Sequence, residues 1–274
     1  MKWNIISDSS CNLFDNYISD PDISFKTVPF VIRCDDKEMI DNENIDLPAL
    51  YQAMKNSKTT ATSCPSPYAF EENLNEEDNF FIVTISANLS GSYNAALSAI
   101  QNFNNKHIHI INSISAGTGQ NMIIDKLVEL IKQGLNFEEI VEKIEEYKKQ
   151  ISICFALCSY DNLVKNGRMS KIAGFVASKL NFWGIGIGSP EGTIEVIEKT
   201  RLLSKVFEII ANDIEKRGPR KERIIISHSD NEETANKLAA YLKEKFPACQ
   251  ITIYPNRGLC AYYAEYKGMI ISCD

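Results

Sequence analysis

The chain has 274 residues, more than one typical domain of about 100 to 200 residues and fewer than two full-sized ones. Its 29 basic and 36 acidic side chains leave a net charge of −7, the opposite of the basic face that binding to a phosphate backbone requires, which disfavours nucleic acid as a partner. With 44 % apolar and 24 % charged residues the composition is ordinary for a globular protein and excludes a disordered, fibrous or low-complexity chain.

In chain order, Met1-Lys2-Trp3-Asn4-Ile5-Ile6-Ser7-Asp8 reaches an acid without an apolar signal stretch, and no later apolar run attains the roughly 18 residues of a membrane helix. A cytoplasmic protein without membrane insertion is expected. Runs rich in Ile, Val and aromatic residues predict strands over 3–7, 27–32, 80–86 and 108–112 in the first half of the chain. A helix over 122–132 follows, then one over 137–147 in which Phe137, Ile140, Val141, Ile144 and Tyr147 form an apolar stripe opposite the glutamates. Beyond it the pattern predicts strands over 151–158, 194–199, 224–227, 251–254 and 269–272, with helices over 206–215 and 232–245 between them. Such alternation implies βαβ crossovers and a mostly parallel sheet, with ligands gathering beyond the carboxyl ends of the strands. The polar-to-apolar change at 148–151 divides the chain into an N-terminal α/β lobe, 1–150, and a C-terminal α/β lobe, 151–274.

Five loops concentrate small and polar residues. Ser7-Asp8-Ser9-Ser10-Cys11-Asn12 follows the first strand and is rich in N-cap residues, so Asp8 or Ser9 is a natural helix cap. Thr59-Thr60-Ala61-Thr62-Ser63-Cys64-Pro65-Ser66-Pro67 sets hydroxyls beside two stiffening prolines. Leu89-Ser90-Gly91-Ser92-Tyr93 leads from a strand into a helix, where N-terminal amides and hydroxyls make an anion cradle. Asn166-Gly167-Arg168-Met169-Ser170-Lys171 brings two cations to a flexible turn, which suits a phosphate or carboxylate and equally a solvated surface. The last is Tyr254-Pro255-Asn256-Arg257-Gly258-Leu259-Cys260-Ala261.

In this order, and with Asn112-Ser113-Ile114-Ser115-Ala116-Gly117 after the fourth strand, the loops resemble those of the DegV family of bacterial fatty-acid-binding proteins over essentially the whole chain. The resemblance implies a two-lobed α/β fold with a mostly parallel sheet in the first lobe and a mixed sheet in the second. It also implies a long-chain fatty acid such as palmitate, stearate or oleate held non-covalently between the lobes. No metal and no other cofactor is implied. By position, Thr62, Ser63 and Ser90 with the adjoining Gly91 would hold the carboxylate, and Arg168 would lie near the head group or on a kinase-facing surface. Carriers of this kind are monomers that do no chemistry themselves and present the acyl carboxylate to a separate kinase related to dihydroxyacetone kinases. Asn256 stands where the family usually has a His, so that position offers a hydrogen bond and no proton transfer at neutral pH. Trp183-Gly184-Ile185-Gly186 likewise replaces a typical Lys-Pro segment.

Other chemistries are less well supported by the residues. Eight widely spaced cysteines in a chain of this length read as free thiols, and Cys154 and Cys158 as parts of a buried strand. His107 and His109 alternate on one strand face without a third metal ligand in reach. A serine-dependent lipid hydrolase is the alternative enzyme, but no Gly-x-Ser-x-Gly elbow is present, and neither glycine-rich nucleotide loop occurs. A lipid-binding protein without a kinase partner is the other alternative.

Overall fold

The computed structural model describes residues 2–169, 182–218 and 222–274. In the first half, β1 (Trp3–Asp8), β2 (Ile23–Val28), β6 (Asn79–Thr84) and β7 (Ile108–Asn112) form an all-parallel sheet in the order β2-β1-β6-β7. Both faces are covered, as parallel sheets require. Ile5, Phe81, Val83 and Ile111 point to α4 (Thr118–Lys132) and α5 (Phe137–Tyr147), while Ile6, Phe80 and Ile82 point to α2 (Pro67–Glu71) and α3 (Ser92–Ala99). The helix α5 has the residues that its stripe predicts, and Asn136 with Glu139 closes a capping box at its start.

A second sheet takes β8 (Ser152–Leu157), β9 (Trp183–Gly188), β10 (Ile194–Thr200), β11 (Arg223–His228), β12 (Gln250–Pro255) and β13 (Met269–Cys273) in the order β10-β9-β8-β13-β11-β12. Only β11 and β12 pair in parallel, so this sheet is mixed. Helices α7 (Leu203–Arg217) and α8 (Glu232–Lys245) cover one face, burying Val206, Ile210, Leu238 and Leu242 against Ala156, Ile224 and Ile226. The opposite face meets α4, where Thr118 and Ser272 share a 2.7 Å hydrogen bond.

The strand expected over 27–32 is two strands, one ending at Val28 and one starting at Val31. Pro29 has no N–H to continue the ladder, and the chain leaves the first sheet there to build a third. In that small antiparallel sheet, β3 (Val31–Cys34) lies between β4 (Lys37–Ile40) and β5 (Thr60–Ser63), so half of the hydroxyl-rich segment read as a loop is a strand. Helix α1 (Leu47–Asn56), with Asp46 as its N-cap and Pro48 in its first turn, returns from β4 to β5. The small sheet and α1 pack on α9 (Gly258–Ala264) through Ile32, Leu50, Ala261 and Tyr262, joining early and late parts of the sequence in one apolar cluster.

Glycine at every second position of β9 is unfavourable for an isolated strand, yet it leaves room for the Phe155 ring of β8 and for the Tyr160 ring beyond the end of β8. A Cβ on Gly186 would sit 2.2 Å from the Phe155 ring, and one on Gly184 would sit 2.4 Å from Tyr160. Gly186→Ala is therefore expected to lower stability by about 1–3 kcal/mol, the usual cost of overpacking. A urea midpoint equal to that of the unchanged protein would contradict this packing.

Candidate functional site

The first loop begins where β1 ends. Asp8 is fully buried, and its side chain accepts from the Ser10 N–H at 3.3 Å, so it does cap the single turn of 3-10 helix at Ser9–Cys11. It does more than that. Oδ2 accepts from the Ile85 N–H at 2.9 Å and from the Ser92 hydroxyl at 2.7 Å, and Oδ1 accepts from the Gln120 side-chain amide at 3.1 Å. One carboxyl thus ties β1 to the loop between β6 and α3 and to the first turns of α4. Burial raises its pKa, against the hydrogen bonds from Ser10, Ser92, Ile85 and Gln120. The Ser10 hydroxyl has one proton and touches two acceptor oxygens, Asp8 Oδ1 and Gln120 Oε1, and a proton on Asp8 would complete that chain.

A second buried carboxyl lies close by. Asp41 accepts from the Ser9 hydroxyl at 2.7 Å and from the N–H groups of Gly258 and Leu259 at 3.0 and 2.9 Å, which caps the start of α9. Burial raises its pKa, while the Arg257 guanidinium, with Nε 3.6 Å away, opposes the rise. Arg257 is itself only 3 % exposed; it donates to the carbonyls of Leu13 and Asp41 and lies 4.5 Å over the Phe14 ring.

These fixed loops and the two large sheets enclose a cleft of about 850 Å³, part of it open to solvent. Its walls are apolar: Phe30, Ile85 and Leu89 from the first sheet's loops, Ile153 and Phe155 from β8, and Leu259 from α9. Among the described residues lining it there is no carboxylate, and Arg168 is its one charged side chain. The polar groups converge. Thr62 Oγ1 and the Tyr263 hydroxyl are 2.7 Å apart, and Arg168, close enough to act on the Tyr263 hydroxyl electrostatically, donates through Nε to the Leu89 carbonyl at 3.1 Å, next to Ser90.

Of the candidate residues, Thr62, Ser90 and Arg168 line this cleft. Ser63 does not: it follows Thr62 on β5, so the strand's alternation turns it to the other face, where it is exposed. Gly91 is exposed outside the cleft and serves as the residue before α3, with Cys64 Sγ as its neighbour. Asn256 is buried behind the first loop, where it accepts from the Asn12 amide at 3.2 Å and donates to Ser229 Oγ at 2.9 Å, and it does not line the cleft. Leu259 and Cys260 of the same loop, and Tyr263 two residues beyond it on α9, reach the cleft instead. Tyr263 was not among the candidates, although its spacing of four from Leu259 puts both on one helix face. Ser170 and Lys171 lie outside the described residues.

The remaining features are structural. His107 stacks on Phe137, and His109 Nε2 lies 3.1 Å from Glu145, so both rings face α5. His228 Nδ1 accepts from the Asn231 N–H at 3.2 Å, and burial lowers its pKa. Among the described residues no serine hydroxyl is hydrogen-bonded to a histidine ring, and no three His, Cys, Asp or Glu side chains group as metal ligands. All eight cysteines are free; Cys154 is buried and Cys158, just past the end of β8, is partly exposed. No described helix is long and apolar enough to cross a membrane.

Two helix-covered sheets closing on one apolar cleft, with hydroxyls and a single guanidinium gathered in it, define an α/β binding protein for a long apolar molecule with an anionic end. The chain belongs to the DegV family, described as uncharacterised proteins, whose sequence profile matches residues 2–267. A DegV domain-containing protein of Streptococcus gordonii is 37 % identical over 279 residues, covering 100 % of this chain and 99 % of that one. Among solved structures, the Streptococcus pneumoniae fatty acid kinase B3 protein loaded with linoleic acid is similar with a TM-score of 0.95 and 34 % identity, covering 100 % and 99 % of the two chains. A DegV family protein of Eubacterium eligens loaded with heptadecanoic acid has a TM-score of 0.93 and 31 % identity, covering 99 % of each chain.

The raised pKa of Asp8 has a signed consequence. A carboxyl that holds its proton more tightly when folded adds stability that is fully present below its unfolded value of 3.8 and is lost as pH rises through the folded value. Asp8→Asn keeps the shape without the charge, so as pH rises above the unfolded value of 3.8 the variant should gain stability relative to the unchanged protein. Parallel urea titration curves with a pH-independent offset would show that Asp8 does not titrate in that range.

Proposed function

We propose that this chain is a carrier that binds one long-chain fatty acid non-covalently and presents its carboxylate to a separate kinase, performing no chemistry itself. The observation that carries the reading is the pairing in one cleft of apolar walls with a carboxylate-free cluster of Thr62, Ser90, Arg168 and Tyr263. About fourteen buried methylenes at ~0.8 kcal/mol each contribute on the order of 11 kcal/mol, which offsets an association cost of about 4 kcal/mol or more. A buried carboxylate is tolerated only when it is hydrogen-bonded and charge-paired, which the hydroxyls and the guanidinium supply. The relatives with solved structures that hold linoleic and heptadecanoic acid support this ligand class, and palmitate, stearate and oleate are the acids we expect here. That one of them is a fatty acid kinase B3 protein supports a kinase partner; in this reading the partner is related to dihydroxyacetone kinases and phosphorylates the acid to an acyl phosphate. In this reading the protein works as a cytoplasmic monomer whose lobes, 1–150 and 151–274, enclose the tail.

Native mass spectrometry of gently purified protein should show one co-purified fatty acid, or uptake of added palmitate or oleate. Absence of both would refute the carrier reading. Removing the two hydroxyls by Thr62→Ala with Ser90→Ala should weaken fatty-acid binding at least about tenfold, because each hydrogen bond to a charged group contributes about 1.5–3 kcal/mol. Ser63→Ala, on the opposite face of β5, should leave affinity unchanged.

A further inference from the structure

Ile114 sits in the loop between β7 and α4 with φ at +55°, a left-handed conformation that is unfavourable for a β-branched residue. Such a backbone persists only where its surroundings over-determine it. Here the Asn112 side-chain oxygen accepts from the N–H groups of both Ile114 and Ala87, at 3.2 and 3.1 Å, and the Ser115 carbonyl accepts from the Ser86 N–H at 2.8 Å. The result of that scaffold is the placement of the Ile114 side chain, which lines the cleft. Across from it lies Gly192, in the turn between β9 and β10, so close that a Cβ there would be 3.0 Å from Ile114 Cγ2. The turn is held in this position by two hydrogen bonds: the Ser86 hydroxyl donates to the Gly192 carbonyl at 2.8 Å and the Asn88 amide donates to the Glu191 carbonyl at 2.6 Å. No acyl chain passes between Ile114 and Gly192.

We propose that Ile114 is a specificity-determining residue: its contact with the Gly192 turn closes the cleft and so limits the length and bend of the chain that fits. This rests on the fatty-acid reading above. The affinities of palmitate, oleate and arachidate are to be measured for the unchanged protein, for Ile114→Ala and for Ile114→Gly, the last of which accepts the left-handed backbone without a Cβ. Opening the contact should shift the ratio of arachidate to palmitate affinity about tenfold toward the longer acid, the size of two newly buried methylenes. A side chain that only supports the fold would weaken all three acids alike, and an unchanged ratio in both variants would overturn the proposal. So would failure of both variants to fold, which would make Ile114 a requirement of the fold. If the unchanged protein binds none of the acids, it is the carrier reading that fails.

Discussion

The arrangement of the cleft depends on burying one carboxyl group, that of Asp8, at the carboxyl end of the first strand. Its position is set by β1, and its hydrogen bonds hold the Ile85 amide, the Ser92 hydroxyl and the Gln120 side chain around it. Ile85 and Ser92 bracket the loop that brings Leu89 and Ser90 to the cleft, so a group that never touches the cleft fixes two of its residues from both flanks. A buried carboxyl without a cation is costly unless it is fully hydrogen-bonded or protonated. That cost favours the observed geometry: a loop drawn away from Asp8 would take the Ile85 and Ser92 donors from its Oδ2.

Charge is partitioned between surface and cleft. The net charge of −7 belongs to exposed acids such as those of α5 and α8, whereas the cleft lining contains a guanidinium and no described carboxylate. An acidic protein can therefore receive an anion, provided that the anion meets hydroxyls and Arg168 rather than the mean field. Under the proposed function the apolar walls would serve the same end, leaving few polar groups to compete for a head group and lowering the local dielectric around Arg168.

Much of this was legible in the residues. Long periodic segments such as α5 and the Ile-rich strands declare themselves, because each buries one stripe or two faces and nothing else competes. The loops at Thr62, Ser90 and Arg168 were visible as hydroxyl and cation clusters, and those residues do meet in one cleft. The three-stranded sheet was hidden because its strands are four residues long and partly polar, and β9 because alternate glycines look unlike a strand. Ser63 and Asn256 could not be placed from sequence: the first depended on strand register, the second on a partner, Asn12, that lies 244 positions away. Tyr263 comes to Thr62 by the same long-range route, which no local pattern encodes.

The seat of α9 bears on how the cleft could exchange its contents. This helix comes late in the chain, yet its first amides rest on Asp41 and its side chains pack with Ile32 and Leu50 from the early part. A hinge motion swinging the two large sheets apart as rigid bodies would have to break the hydrogen bonds that Asp41 accepts from the first amides of α9 or those that tie Asp41 and Arg257 to the first loop. Local movements of the cleft's rim leave those bonds in place and are the less costly way in. The rate of exchange is then a property of a few side chains and loops, separable from the stability of the protein as a whole.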